Sequence, residues 1–376
     1  MQGLTFDDVL LVPGYSDFKR EEITLKTALS PTLSLDVPLI SSPMDTVTEH
    51  KLAIALAQMG GIGVIHRNLT ITGQADEVAL VKKAGHRVAA AIGVSDGYEP
   101  RLAALMKAGV DMILLDSAHG YTSYMIDVLR HIKKTQPTLT VMAGNIATYA
   151  AAEAFVKAGA DSLRVGMGPG AICTTRIVSG MGIPQVTAIM EVAKATKGSA
   201  VSVVADGGIK YSGDMIKALA AGASAVMMGS YFASCEEAPG ELFQLHANDI
   251  PSRFKSIVDA KDPNKLYQFK SYRGMGSIGA MQSGAKIKSE DEYHGKSYKD
   301  RVLVAEGVEG LVPVKGSVSR LVEQAIGGMK SGMYYVGVKT IESLQQEAQF
   351  IQITQASLTE SHPHDILVTN AGENYS

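Results

Sequence analysis

The 376-residue sequence has no tryptophan, only eight phenylalanines and only two cysteines, Cys173 and Cys235. Two thiols build neither a disulfide framework nor a cysteine-rich zinc module, and the expected setting is the reducing cytoplasm. Charge of one sign is missing too: 35 Lys and Arg against 38 Asp and Glu leave a net charge of −3. No basic field is present to attract nucleic acid or anionic lipid, so neither is expected as a partner. No stretch reaches the roughly 18 apolar residues that spanning a bilayer needs. The opening MQGLTFDDVLLVPGYSDFKREE carries acids where a secretory signal carries bases, so no targeting or membrane segment is expected. What is abundant is apolar or small: 46 % hydrophobic residues and 38 glycines with 19 % charged, a balance that excludes disordered, collagenous and coiled-coil chains.

At this length one large α/β barrel and two ordinary domains are both open. Along the chain, short apolar runs ending in glycine or polar residues recur eight times: 37–45, 61–67, 88–94, 112–120, 139–146, 162–170, 201–209 and 225–233. Each is followed by a longer segment with helical spacing of apolar residues. Several of these end in a repeated helix stop, Ala108-Gly109, Ala158-Gly159 and Ala221-Gly222, where glycine closes a helix in the left-handed conformation. Apolar strands alternating with helices mean a parallel sheet covered on both faces, and eight such units point to a closed (β/α)8 TIM barrel. An open doubly wound sheet is the alternative. It calls for G-x-G-x-x-G at the first strand–helix turn, which here reads SSPMDTVTEH. The expectation is a single catalytic domain over 1–376. Within it, 236–316 reads as a polar, loop-rich stretch with an active-site flap, followed by a helix over 318–330 and a tail over 350–376.

In a barrel the chemistry sits where strands end. The polar residues there are Ser41, Ser42, Met44 beside them, Asp45, Asp116, Ser117, His119, Asn145, the loop GMGPGAICTTR (166–176), Asp206-Gly207-Gly208 and Gly229-Ser230. Three glycines at 166, 168 and 170 permit close backbone approach, and Cys173 is followed by Thr174, Thr175 and Arg176. A thiol on a strand-end loop among donors and a cation reads as a nucleophile rather than a core residue. Cys235 keeps the core reading. The glycine turns at 207–208 and 229–230 suit phosphate binding through backbone N–H groups, and Asp206 can hold a sugar diol. Asp116 and His119 lack a third ligand at metal spacing, so no transition-metal site is expected.

The segments LTFDDVLLVPGYS, PLISSPMDTVTE, DSAHG, AGN, LRVGMGPGAICTTR, PQVTAI, ADGGI, VMMGS, EAPGE, SYRGMGSIGAM, EGVEG and ESHPHD, in that order, resemble inosine-5′-monophosphate (IMP) dehydrogenases, nearly end to end. The resemblance implies a homotetrameric (β/α)8 enzyme of guanine nucleotide biosynthesis, in which a cysteine attacks C2 of IMP, hydride passes to NAD+ and water hydrolyses the adduct to XMP. Cys173 matches the nucleophile. Thr175, Glu306 and Tyr293 match residues that activate water. IMP is implied against Ser42 and Met44, with ribose on Asp206, phosphate on Gly207, Gly208, Gly229, Ser230 and Tyr272, and base near Gly274, Met275 and Gly276. The NAD side is implied near Asp116, Ser117, Asn145, Arg164, Gly166 and Gly168. A potassium site is implied at the carbonyls of Gly168, Gly170 and Cys173, completed by Glu360, Ser361 and His362 of a neighbouring subunit.

Four departures from that pattern stand out. The regulatory CBS pair of about 120 residues that follows the second strand in most such dehydrogenases has no counterpart in VKKAGHRVAAAIGV. Ala171 replaces a phosphate-binding serine, a loss of about 1 kcal/mol of hydrogen bonding. Glu292 stands where the flap carries a water-activating arginine, with Arg301 the nearby cation that could serve instead. Residues 242–270 exceed the usual link. The missing arginine brings forward the related GMP reductase, which deaminates GMP with NADPH, and also a catalytically impaired homologue that only binds nucleotide.

Overall fold

The computed structural model describes residues 2–95, 97–251, 254, 258, 265–287, 304–366, 368 and 372. Tyr293, Glu292 and Arg301 lie outside the described residues, as do 252–253, 255–257 and 259–264 of the stretch 242–270. Ahead of the barrel come β1 (Val9–Leu11), β2 (Thr27–Ser30) and β3 (Leu33–Leu35). The barrel strands are β4 (Leu39–Ser41), β5 (Ile62–Ile65), β6 (Ala89–Ile92), β7 (Met112–Asp116), β8 (Thr140–Ile146), β9 (Ser162–Val165), β10 (Ser202–Asp206) and β11 (Ala225–Met228). Each falls inside one of the eight apolar runs. They close in parallel, with β9 against β10 and β11 against β4.

Strands covered by helices outside and by side chains inside must be apolar on both faces. Every residue of the eight barrel strands is buried except Asp116, Asn145 and Asp206, which stand at the C-terminal ends of β7, β8 and β10. Inside the barrel, Ile40, Ile62, Val64, Met112, Leu114 and Met227 pack with Leu29, Leu33 and Leu35 of the β2–β3 hairpin. The Ser202 hydroxyl donates to the Leu29 carbonyl at 3.0 Å, and Ser30 and Thr140 hydroxyls meet at 2.8 Å. Ser202 and Thr140 begin their strands, so the hairpin plugs the N-terminal mouth and leaves the opposite mouth for ligands.

The outer helices follow local rules. The Thr148 hydroxyl accepts from the Ala151 N–H at the start of the helix Tyr149–Ala158, and Gly159 ends it in the left-handed region at φ +93°. The last long helix runs Val318–Val336 rather than stopping near 330. Gly332 is accommodated in it because Ile216 approaches so closely that a Cβ there would lie 3.0 Å from that side chain.

The stretch after the barrel corrects the loop-rich expectation. It contains an antiparallel sheet of β12 (Leu242–His246), β13 (Leu266–Arg273) and β14 (Glu309–Pro313), with the helix Ile278–Ile287 between the last two. Ile250, Tyr267 and Phe269 form a small core beneath it. The exposed positions of β12 and β13 mix Gln244, His246 and Gln268 with Leu242 and Leu266, a blurred alternation that in sequence is easily taken for loop. Near the end, β15 (Phe350–Gln352) pairs antiparallel with β1, before the helix Gln355–Glu360. Between the helix Ile71–Lys83 and β6 only residues 84–88 intervene, so the chain has no insertion where the CBS pair is expected. No helix among the described residues is long and apolar enough to cross a membrane.

Candidate active site

At the C-terminal mouth a single cleft gathers residues from six barrel strand ends and from the β13–β14 unit. Its walls include Ser42, Met44, Asp116, Ser117, Asn145, Arg164, Gly166, Gly168, Gly170, Cys173, Thr175, Asp206, Gly207, Gly229, Tyr272, Gly274, Met275, Gly276 and Glu306. Gly208 and Ser230 line an adjoining cavity with Ala171, and Pro169 lines both spaces. The expected phosphate turns therefore straddle two connected walls rather than one. Glu360, Ser361 and His362 are exposed at the far end of the chain, where Ser361 and His362 N–H groups bond within their own turn. His119 is exposed and its carbonyl accepts from the Ser117 hydroxyl at 3.2 Å, outside the cleft.

The cysteine loop is held by backbone alone on one side. Thr174 N–H donates to the Glu306 carbonyl, Val308 N–H to Ile172, Glu306 N–H to Gly276 and Gly274 N–H to Val308. Those bonds stitch residues 172–174, 274–276 and 306–308 into one layer. Within it the Cys173 thiol donates to Thr175 Oγ1 at 3.2 Å, and the Thr175 hydroxyl donates to Glu306 Oε2 at 2.8 Å. A thiol, a hydroxyl and a carboxylate thus form a proton path. Arg176 does not join them, contrary to the expected cation beside the thiol. Its guanidinium donates to the carbonyls of Ile183 at 2.6 Å and Met167 at 3.2 Å, bracing the loop from behind.

The floor is a row of alternating charges: Arg67, Asp116, Arg164 and Asp206. Arg67 Nε donates to Asp116 at 3.1 Å, Arg164 donates to Asp116 through Nη1 and to Asp206 through Nε at 2.9 Å, and Asn145 Nδ2 donates to the same Asp206 oxygen at 2.9 Å. Burial opposes charge on Asp116, but the Arg164 and Arg67 guanidiniums outweigh it and hold its carboxyl below the usual carboxylate range. Burial likewise opposes charge on Arg164, and Asp206 and Asp116 overcome it, raising its pKa above the ordinary arginine value. Each carboxylate retains acceptor capacity toward the cleft. Arg67 was not singled out in the sequence, although it ends the apolar run 61–67 that contains β5. Asp45, a candidate, is instead structural: it takes Nε and Nη2 of Arg273 at 3.0 and 2.6 Å and so fastens β13 to the first barrel loop.

Glycines sit where backbone must come close. At Gly166, φ +156°, a Cβ would lie 2.1 Å from the Asp206 carbonyl oxygen. At Gly229 it would lie 2.5 Å from the Tyr272 hydroxyl and 3.0 Å from Met44 Sδ. Burial pushes the Tyr272 phenol well up, so it stays neutral, and the Ser230 N–H bonds to it. Cys235 is fully buried and burial pushes its thiol up, in keeping with a core role.

The sequence profile of the IMP dehydrogenase / GMP reductase domain matches residues 3–256 and 263–364. The inosine-5′-monophosphate dehydrogenase of Cryptosporidium parvum is 40 % identical over 418 positions, covering 100 % of this chain and 98 % of that protein. The enzyme of that name from Borreliella burgdorferi is 39 % identical over 415 positions, with 97 % of each chain covered. That of Halalkalibacterium halodurans is 35 % identical over 501 positions, 100 % of this chain and 98 % of the relative. An alignment of 501 positions against 376 residues leaves about 125 without counterpart here, the size of the CBS pair, whereas 418 leaves about 42. With a closed barrel, a strand-end cysteine in a glycine loop and a profile spanning almost its whole length, this chain belongs to the IMP dehydrogenase / GMP reductase family.

Proposed function

We propose that this protein oxidises IMP to XMP with NAD+ in guanine nucleotide biosynthesis, through a covalent adduct on Cys173. The observation that carries this reading is the Cys173–Thr175–Glu306 path, together with the dehydrogenase names of the relatives it matches over nearly its full length. In this reading the ribose diol of IMP meets Asp206, its phosphate meets Gly207, Gly208, Gly229, Ser230 and Tyr272, and its base lies on Ser42, Met44 and the 274–276 turn. Cys173 sulfur bonds to C2 of the purine, its proton leaving toward Thr175. NAD+, when bound, accepts the hydride from C2. Water then adds to the same carbon, the C–S bond breaks, and Thr175 passes the released proton to Glu306. IMP, NAD+ and water go in; XMP, NADH and a proton come out.

Asp116, Ser117, Asn145 and Arg164, with Gly166 and Gly168, are the residues we assign to the nicotinamide side. Asp116 is ionised at neutral pH because of its two arginines, which suits acceptance of ribose hydroxyl hydrogen bonds. We assign a potassium ion to the carbonyls of Gly168, Gly170 and Cys173. A hard cation takes oxygen ligands, and the Gly170 carbonyl keeps a second lone pair while accepting the Cys173 N–H at 3.1 Å. Glu360, Ser361 and His362 of a neighbouring subunit would complete it in a homotetramer. The exposed apolar side chains of Tyr15, Tyr335, Ile351 and Ile366 support such subunit contacts. We place the enzyme in the cytoplasm, on its two unpaired cysteines.

Glu292, in place of the flap arginine, favours a second reading: reduction of GMP with NADPH, which needs no activated water. Incubation with IMP plus NAD+, and separately with GMP plus NADPH, followed by absorbance of the reduced cofactor, decides between them. A rise in the first supports the proposal, a fall in the second supports the reductase, and no change in either identifies a binding homologue without turnover.

A further inference from the structure

Lys270 is a buried cation that the proposed reaction does not use. It lies on β13, two residues before Tyr272, so the two side chains share one face of the strand. Farther along that face Leu266 and Gln268 are exposed, whereas Lys270 and Tyr272 are buried. The ammonium has three N–H donors and each meets a backbone carbonyl: Cys235 at 3.0 Å, Glu236 at 2.6 Å and Ala238. Burial opposes this charge and lowers its pKa, a desolvation cost that an apolar side chain would avoid. Those three carbonyls close the segment that begins at Gly229. The Gly229 carbonyl accepts the Ala233 N–H at 2.9 Å across the short helix Ser230–Ala233, and the Cys235 N–H donates to the Phe232 carbonyl at 3.0 Å. Tyr272 meets the front of the segment, where the Ser230 N–H bonds to its hydroxyl and a Cβ on Gly229 would lie 2.5 Å from it. Lys270 meets the back. One strand therefore grips residues 229–238 at both ends through two side chains of the same face.

We propose that Lys270 is a positioning residue for the nucleotide phosphate: it fixes residues 235–238 and through them sets Gly229 and Ser230 against Tyr272. This rests on the assignment of the phosphate to Gly229, Ser230 and Tyr272 under the proposed function. Two backbone bonds hold the same segment from another side, the Lys315 N–H to the Ser234 carbonyl and the Glu236 N–H to the Gly316 carbonyl, both at 2.9 Å. They keep the segment attached when the ammonium is removed, but its direct tie at 235–238 to the strand that carries Tyr272 is lost. The carbonyls of Cys235, Glu236 and Ala238 are then left without that donor, and the segment shifts to reach water or another one. Gly229 and Ser230 move with it, so the loss is felt at the phosphate rather than at Cys173.

The test compares the full chain with Lys270→Met, which keeps the stem and removes the charge, and with Lys270→Gln, whose amide has only two N–H donors for the three carbonyls. In Lys270→Met the KM for IMP and its calorimetric dissociation constant should both rise at least about fivefold, with kcat within about twofold and the KM for NAD+ unchanged. Lys270→Gln should show the same split with a rise of at least about threefold, and it decides alone if Lys270→Met does not fold. Parental affinity for IMP in the folded variants overturns this inference and leaves the proposed function standing. So does a fall in kcat at unchanged KM, or an equal rise in the KM for NAD+, either of which would make Lys270 a residue of general stability. Recovery of both variants unfolded overturns it for the same reason. A parent that binds GMP without oxidising IMP would undo the proposed reaction but not this inference, because the two nucleotides carry the same 5′-phosphate and the affinity for GMP then reads the effect. A parent that binds neither nucleotide would undo the phosphate assignment and this inference with it.

Discussion

Thr175 and Glu306, 131 positions apart in the chain, share a 2.8 Å hydrogen bond from the threonine hydroxyl to Oε2 of the carboxylate. The same hydroxyl oxygen accepts the Cys173 thiol at 3.2 Å, so one threonine joins the thiol to the carboxylate. Thr175→Val or Glu306→Gln should therefore slow the step that consumes water more than the step that moves hydride, by about 10²-fold in kcat. Rapid-quench mass spectrometry should find the Cys173 adduct accumulating in either variant. A rate loss with no accumulated adduct would assign both residues to hydride transfer instead.

Cys173→Ala removes the thiol from the residues that line the cleft. Turnover should fall by at least about 10³-fold, while nucleotide binding, which the proposed function assigns to Asp206 and the glycine turns, should change little by calorimetry. A variant with near-normal rate would exclude covalent catalysis.

Gly229→Ala tests the close approach at the wall to which the phosphate is assigned. The added methyl would lie 2.5 Å from the Tyr272 hydroxyl and 3.0 Å from Met44 Sδ, two groups that form one side of the nucleotide cleft. The KM for IMP should rise about tenfold, equivalent to about 1.4 kcal/mol, and the change should be seen in steady-state titrations of IMP at saturating NAD+. Unchanged KM with a raised kcat would contradict the proposed phosphate position.

Asp116 is shared by two arginines, and its removal leaves both guanidiniums buried without their common partner. Asp116→Asn should lower stability by about 3 kcal/mol in urea unfolding. The folded pKa of Asp116 is depressed below its ordinary 3.8, so its contribution is fully present above that unfolded value and is lost as pH falls through the lower folded one. Stability curves of parent and variant should accordingly converge on acidification below about pH 4. Parallel curves across that window would show that the carboxylate is not the source of the difference.

Leu29 is fully buried in the hairpin that plugs the barrel. Leu29→Ala should cost about 3 kcal/mol through lost burial and the cavity left behind, read by thermal or urea unfolding, with kcat little altered because the plug lies at the mouth opposite Cys173. A silent substitution would mean that the barrel interior collapses onto the gap.

The eight strands were legible because a strand buried on both faces must be written as an unbroken apolar run, and the helix stops at Gly109 and Gly159 because only glycine takes those positive φ values cheaply. The cysteine loop was legible for the same local reason, since three glycines and a thiol follow directly on β9. The sheet of β12, β13 and β14 was not, because its exposed positions mix polar side chains with Leu242 and Leu266 and its partners are separated by long intervals of chain. Arg176 was taken for a neighbour of the thiol on adjacency alone, but the turn at 174–178 swings its guanidinium onto Met167 and Ile183.

By itself the sequence determined a parallel barrel, the strand ends on which polar residues stand, and the glycine loop that presents Cys173, because these depend on patterns a few residues long. Tertiary closure decided that Glu306 meets Thr175, that Arg67 and Arg164 share Asp116, and that Asp45 is a strut for Arg273 rather than a reacting group. Such pairings join residues tens to hundreds of positions apart, and only the circular order of strands, with the β13–β14 unit laid over one mouth, brings their charges within hydrogen-bonding distance.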